Sequence, residues 1–176
     1  MQRDALERRA VGFSVAEGGT GLAVLTGTAM PYGERARIGP FTEEFRAGSL
    51  RADDVIANVM HRRDRPLARQ GSGLTLTDGP GSLEIRMELP DTVDGRDTLA
   101  LVRAGVLQGL SLEFRALREA WQGKHRIIES AALTGVAVVD RAAYAGATLA
   151  EGRSVDAAEW LARYSGQGRK RIWRSL

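Results

Sequence analysis

The strictest pattern in this sequence runs from Leu83 to Leu89, where apolar and charged side chains alternate residue by residue. A period of two places successive side chains on opposite faces of a β-strand, so one face is predicted to be buried and the other to meet water. Directly before this segment, Asp78-Gly79-Pro80-Gly81 has the composition of a hairpin turn. The chain is therefore predicted to build its core from strands joined by tight turns.

Further strands are predicted wherever apolar and β-branched residues are enriched between turn residues. They cover Leu22–Ala29, Val55–His61, Leu74–Thr77, Val106–Leu117, His125–Glu129 and Leu133–Val139. The number and spacing of these short segments indicate a β-rich α+β protein, a small barrel or sandwich with helical additions.

A few segments break the strand pattern. Thr92–Ala104 has helical spacing, with Asp94 as the predicted cap and Gly105 at its predicted end. The remaining assignments are one helical turn within Phe41–Leu50, a charged loop over Arg62–Pro66 and a helix with one apolar face over Asp156–Tyr164. We expect an N-terminal arm (1–20), one main domain (21–150) and a C-terminal helix with a basic tail (151–176).

Composition removes several classes of function. The absence of cysteine excludes disulfides, thiolate catalysis and cysteine-based zinc sites, and two histidines make a histidine-rich metal site unfavourable, so no cofactor or metal is expected. No apolar run reaches the roughly 18 residues of a membrane span, and the charged N-terminus lacks the apolar core of a secretory signal. Residues 153–176 hold six basic and two acidic residues, a net charge of +4 that leaves −1 for the rest of the +3 chain.

Ser111 and His61 are the residues best suited to carry chemistry. His61 closes a predicted strand beside a polar loop, and Ser111 lies within Gly109-Leu110-Ser111-Leu112-Glu113-Phe114. A serine becomes a useful nucleophile when a nearby base removes its proton, and histidine is the usual base. By pattern alone, a serine within a strand and a histidine at a strand end are also ordinary structural residues.

Several segments in order resemble the prohead proteases of tailed bacteriophages of the HK97 type, which are related to the herpesvirus assembly proteases. The resemblance covers about residues 22–150. It rests on the opening strand and turn, on a segment ending in Gly48-Ser49, on the residues before and after His61, on the helix before the nucleophile strand, and on the final strand. The quoted stretches are Gly27–Gly33, Phe41–Leu50, Asn58–His61, Leu67–Arg69, Asp94–Gly105, Gly109–Ser111 and Ile127–Val139.

This resemblance implies a closed or partly open antiparallel β-barrel of about seven strands with a few peripheral helices. It also implies peptide-bond hydrolysis, with Ser111 as nucleophile and His61 as general base. The implied substrates are the phage scaffold and major capsid proteins, and the protease itself, inside the procapsid in the host cytoplasm. Self-association stays open.

A third catalytic residue is less clear from the resemblance. The register places the usual acid of the last strand at Ala132, and Gly135 replaces another common acid. Glu129 is the candidate for this role, with Glu113, which shares a strand face with Ser111, as a second candidate. His125 corresponds to a second histidine of the herpesvirus enzymes but is expected at the surface. Arg141, which follows the last strand, is the candidate for stabilising the oxyanion.

Other functions remain open at this stage. The chain could be a non-catalytic capsid-assembly or structural protein on the protease fold, because fold does not fix function. A nucleic-acid-binding module that uses the basic tail is the third possibility, and nucleic acid is not expected as a partner of the main domain. Precursors of such proteases trim themselves, so cleavage near Gly166-Gln167-Gly168, or targeting to the scaffold by this tail, is expected.

Overall fold

The computed structural model describes residues 7–12, 14–16, 22–141 and 171–172, and its side chains are described over 22–141. Within these residues the chain forms twelve strands and one helix. The strands are β1 (Glu7–Gly12), β2 (Ser14–Ala16), β3 (Ala23–Pro31), β4 (Ala36–Ile38), β5 (Phe41–Phe45), β6 (Leu50–Val59), β7 (Arg62–Gln70), β8 (Gly73–Asp78), β9 (Ser82–Leu89), β10 (Gly109–Gln122), β11 (His125–Val139) and β12 (Arg171–Ile172). The helix is α1 (Val93–Arg103).

All twelve described strands belong to one mixed sheet with the order β1-β10-β11-β6-β7-β8-β9-β3-β2. Off this path, β5 pairs with β11 and β4, and β12 pairs with β8. The pairs β11–β5, β11–β6 and β7–β8 are parallel, and the other pairs are antiparallel. The predicted β-rich character is confirmed, but the antiparallel barrel of about seven strands is not: the sheet is mixed and is not closed into a barrel within the described residues.

The alternating segment behaves as predicted. Leu83, Ile85, Met87 and Leu89 of β9 are fully buried, and β9 forms a hairpin with β8 across the Gly79–Gly81 turn. The helix also forms where its spacing predicted, but its cap is Thr92, whose hydroxyl accepts a hydrogen bond from the Gly95 amide at 3.2 Å. Asp94, the predicted cap, instead pairs with Arg65.

Three local predictions are wrong. Phe41–Phe45 is strand β5 and not a helical turn, because its backbone pairs in parallel with β11 and its Phe45 packs edge-on against Phe114. The charged Arg62–Pro66 segment begins strand β7 because it pairs with β6. The two strands expected after residue 125 are one strand, β11. The predicted helix over 156–164 lies outside the described residues.

A bulge at Thr134 decides which side chains of β11 face the site. Before the bulge, the odd-numbered Leu133 faces the core. After it, the even-numbered Val136 and Val138 face the core. The pairing with β10 shifts at the same point, from Glu113 opposite Gly135 to Phe114 opposite Leu133. A β-bulge adds one unpaired residue to one strand and reverses its alternation in this way. Gly135 and Ala137 are thereby turned to the face opposite the core.

Candidate active site

His61 lies in a two-residue turn between β6 and β7. Met60 and His61 both have left-handed backbone conformations, with φ of 51° and 60°, and the flanking Val59 and Arg62 pair across the turn. Two successive positive φ angles match the twist of an antiparallel hairpin. They are unfavourable for residues with side chains, at roughly 1 kcal/mol or more each. The Met60 amide also donates to the Val138 carbonyl, so this turn is fastened to β11.

The imidazole of His61 contacts a buried carboxylate. Its Nδ1 lies 2.9 Å from Oε1 of Glu113, whose side chain is 1% exposed, whereas that of His61 is 16% exposed. Glu113 belongs to β10, so this contact joins two strands that are separated by β11 in the sheet. A carboxylate that accepts a hydrogen bond from Nδ1–H fixes the tautomer of the ring and leaves Nε2 free for proton transfer.

Three neighbours hold the Glu113 carboxylate in place. The Asn58 amide donates to Oε1 at 3.3 Å, and the Arg63 guanidinium lies 3.6 Å from Oε2. Gly135, directly opposite Glu113, provides the space: a Cβ on Gly135 would lie 2.9 Å from Oε2. The carboxylate therefore occupies the volume that a side chain at position 135 would need.

Ser111 lies on the same face of β10 as Glu113. The neighbouring Leu110, Leu112 and Phe114 pack in the core, so Ser111 and Glu113 point to the opposite face. Ser111 is 3% exposed and stands opposite Ala137 of β11, which in turn pairs with Asn58 of β6. Three adjacent strands therefore present Ser111, Ala137 and Asn58 in one row, with His61 just beyond the end of β6.

The remaining candidates lie in other surroundings. Glu129 forms ion pairs with Arg118 at 2.9 Å and with Arg46 at 3.8 Å. Arg141 is exposed, just beyond the end of β11.

His125 starts β11 at the end remote from Ala137. Its Nδ1 shares a hydrogen bond of 2.9 Å with the Thr42 hydroxyl, and its Nε2 lies 3.1 Å from a Glu44 oxygen. This histidine is buried, which corrects the expectation that it is a surface residue.

The comparison with protein families decides what this arrangement belongs to. The family model described as the caudovirus prohead serine protease matches residues 4–159 of the chain. The chain belongs to the caudovirus prohead serine protease family. No curated protein and no solved structure matches it. The relation to the herpesvirus assembly proteases therefore stays a prediction.

Membership in the prohead protease family supports a role in phage capsid maturation, inside the procapsid in the host cell. Phage capsid proteins are the substrates that such a role implies. No helix among the described residues has the length and apolar character to cross a membrane. The part of the chain that the structure describes also holds no cluster of three side chains suited to a metal ion.

Sequence reasoning missed two residues that contact Glu113 in this candidate site, Asn58 and Arg63. Asn58 carried a signal: it is a polar residue within the otherwise apolar Val55–Met60 segment, and it is 1% exposed. A buried amide needs hydrogen-bond partners, so an asparagine in an apolar strand indicates a polar partner on a neighbouring element. Arg63 carried no comparable signal, because a charged residue in a polar segment is ordinary.

Proposed function

We propose that this chain is a serine endopeptidase in which Ser111 is the nucleophile, His61 the general base and Glu113 the residue that orients His61. The observation that carries the proposal is the 2.9 Å contact between His61 Nδ1 and the buried Glu113 carboxylate, on the strand face that also presents Ser111. Two positions along a strand span about 6.7 Å. One imidazole ring with a hydrogen bond at each nitrogen bridges such a distance.

Each group has a defined part in the reaction. The Ser111 oxygen attacks the carbonyl carbon of the scissile bond while His61 Nε2 accepts the hydroxyl proton. The C–N bond then breaks, His61 returns that proton to the leaving amine, and Ser111 keeps the acyl group. Water then attacks the acyl carbon while His61 accepts its proton, the ester C–O bond breaks with release of the carboxylic acid, and His61 returns the proton to the Ser111 oxygen. Throughout, the Glu113 carboxylate accepts a hydrogen bond from Nδ1–H of His61 and stabilises the positive charge that develops on the ring.

Glu113, rather than Glu129, is proposed as the third residue because of their partners. Glu113 contacts His61, whereas Glu129 is paired with Arg118 and Arg46. Arg141 remains the proposed oxyanion stabiliser, together with backbone amides, from its position after β11. The non-catalytic alternative rested on the missing acid of the last strand, and a carboxylate supplied by β10 removes that reason for it.

The proposed substrates are the scaffold and major capsid proteins of the phage head and the tail of the protease itself. The division into arm (1–20), protease domain (21–150) and tail (151–176) also stays a proposal, and β1 and β2 of the arm pair with β10 and β3. A role of the basic tail in binding nucleic acid stays a prediction. It is tested by salt-dependent DNA binding with and without residues 165–176.

Co-expression with the neighbouring head proteins tests the proposal. We expect the wild-type chain to cleave the capsid or scaffold protein, and Ser111→Ala and His61→Ala to reduce the cleavage rate by at least about a thousandfold. Ser82→Ala, which removes a hydroxyl from the distant strand β9, is the matched control and should cleave as the wild type does. If the wild-type chain leaves every head protein uncut, or if Ser111→Ala cleaves equally, the chain is not this protease.

Self-processing has its own measurement. The intact masses of purified wild-type and Ser111→Ala chains should differ by the mass of a C-terminal fragment. Equal masses would show that the tail is not removed by the Ser111 site.

A further inference from the structure

A cleft of about 500 Å³ lies between β7 on one side and the start of β8 and the end of β9 on the other. Apolar residues supply much of its lining, namely Ile56, Pro66, Leu67, Ala68, Leu89 and Pro90. This volume is within the range of pockets that bind small ligands or side chains. It exceeds what a single small side chain fills, so it suits a large apolar residue or two adjacent ones.

Two residues that line the cleft are neighbours of Asn58 in the sheet. Ile56 lies two residues before Asn58 on the outward face of β6, and Pro66 is the cross-strand partner of Asn58 on β7. Asn58 donates its amide to Glu113, and its buried Oδ1 has no hydrogen-bond partner within the described residues. A buried acceptor without a partner costs roughly 1–3 kcal/mol, so it is a candidate to accept a hydrogen bond from a bound ligand.

The strand beside the cleft has an edge without a strand partner over most of its length, although α1 contacts it where Asp94 pairs with Arg65. Over residues 22–141, β7 pairs with β6 at four positions between Arg62 and Arg69, whereas on its other side it pairs with β8 only at Arg69 and Gln70. The backbone from Arg62 to Ala68 therefore has no strand partner on the cleft side in this described part. Extended peptides bind such edges by adding a strand, and their side chains fill the adjacent pockets.

The charged groups at the rim of the cleft have partners of their own. Arg69 forms an ion pair with Asp54, and Glu88 forms one with Arg86. Because Arg69 and Glu88 already have ion-pair partners, neither is expected to select a charged substrate side chain. The cleft therefore favours an apolar occupant.

We propose that this cleft is a substrate subsite that takes an apolar side chain of an extended capsid or scaffold segment lying along β7. The inference rests on the proposed function, because the cleft is linked to the catalytic residues by the position of Ile56 and Pro66 beside Asn58, which donates to Glu113. It adds a substrate class to that function: head-protein segments with an apolar residue at one fixed position relative to the scissile bond.

Ser72 is the position at which the inference can be tested without disturbing the core. It lines the cleft and is exposed, and the contacts that hold its turn run through backbone groups of Ser72 and Arg69. Ser72→Phe fills the cleft with a ring, and Ser72→Asp puts a carboxylate at its mouth. Ala100→Phe, on the exposed face of α1, adds the same ring outside the cleft and is the matched control.

The readout is the cleavage profile of a peptide library randomised around a head-protein cleavage site, with products identified by mass spectrometry. We expect wild type and Ala100→Phe to select an apolar residue at one position. Ser72→Phe should restrict that position to small residues and lower the cleavage of peptides with a large apolar residue there at least about tenfold. Ser72→Asp should shift the preference at that position towards lysine and arginine. A shift of preference cannot result from partial unfolding, so Ser72→Asp decides the question if Ser72→Phe loses all cleavage.

The outcomes separate the two proposals. No cleavage by the wild-type chain, on the library or on the head proteins, rejects the proposed function. Cleavage by the wild-type chain with an unchanged profile in Ser72→Asp rejects the cleft as a subsite and leaves the catalytic residues standing.

Discussion

The carboxylate of Glu113 on β10 fills the space left by the absent side chain of Gly135 on β11. The two residues stand directly opposite each other, and a Cβ on Gly135 would lie 2.9 Å from Oε2 of Glu113. The resemblance to prohead proteases placed an acid on the strand of Gly135, and none is found at 132 or 135. The structure instead brings a carboxylate to that place from the neighbouring strand β10.

Replacing Glu113 by Gln should lower kcat by roughly 100- to 10,000-fold, because the amide keeps the size of the side chain but no longer selects the His61 tautomer that catalysis needs. Steady-state cleavage of a head-protein peptide measures the loss. Glu129→Gln, which removes a charge paired with Arg118 and Arg46, should stay within about threefold of wild type. A larger loss in Glu129→Gln than in Glu113→Gln would assign the third position to Glu129.

Gly135→Ala should displace the Glu113 carboxylate, with a loss of about 1–3 kcal/mol in the free energy of unfolding and at least a tenfold loss in kcat. Denaturant unfolding and peptide cleavage measure the two effects. Gly81→Ala is the control, because a Cβ there meets no atom within 4 Å. Adding Glu113→Asp to Gly135→Ala shortens the acidic side chain and should recover part of the stability. If Gly135→Ala is as stable and active as wild type, the space above Gly135 is not what fixes the carboxylate.

Tyr32 should contribute to stability in a pH-dependent way. Its hydroxyl donates to Asp78 at 2.7 Å, and burial, with a further contribution from Asp78, raises the pKa of the phenol. Tyr32→Phe should lower the free energy of unfolding at neutral pH by about 1–2 kcal/mol. Because the folded-state pKa is raised, the advantage of Tyr32 is fully present below the unfolded pKa of about 10 and shrinks as the pH rises above it.

Unfolding of the wild type and Tyr32→Phe at several alkaline pH values measures this convergence. A difference between the two proteins that stays constant above pH 10 would contradict the protonated, buried phenol.

Glu119 should show the opposite pH dependence. Burial would raise its pKa, but hydrogen bonds from the Trp121 indole and the Arg126 guanidinium outweigh burial and hold the pKa below its usual 4.5. The stability that Glu119 adds is therefore present above pH 4.5 and is lost as the pH falls through the lowered folded-state pKa. The difference in unfolding free energy between wild type and Glu119→Gln should shrink on acidification. If it grows instead, the ion pair with Arg126 is not stabilising.

The regular parts of this fold could be predicted because local pattern and tertiary packing agree in them. The alternation of β9 and the helical spacing of α1 reflect one buried face each, and both elements lie close to their predicted bounds. β7 was missed because its first half is charged. It is held by pairing with β6 and, at its end, with β8, which a sequence pattern does not report.

The proposed catalytic pair could be selected from the sequence, but the sequence left its acidic partner open between Glu129 and Glu113. The choice between Glu113 and Glu129 depends on which face of β10 and β11 each occupies, and the bulge at Thr134 reverses the alternation of β11. A bulge arises from the pairing of two strands and leaves little trace in either one. The same limit applies to Asn58, whose role depends on a strand more than fifty residues away in the sequence.

β11 also determines when the site can exist. It lies between β10, which carries Ser111, and β6, which leads to His61, so these two strands are held in one sheet, one strand apart, only after β11 has paired with both. β11 is the last strand of the long described segment to be synthesised, and non-local pairing of this kind is slow. While β11 is still inside the ribosome, the proposed nucleophile on β10 and the proposed base after β6 are therefore not yet held in one sheet. The proposed site is therefore assembled late, after the last of its three strands has been made and paired.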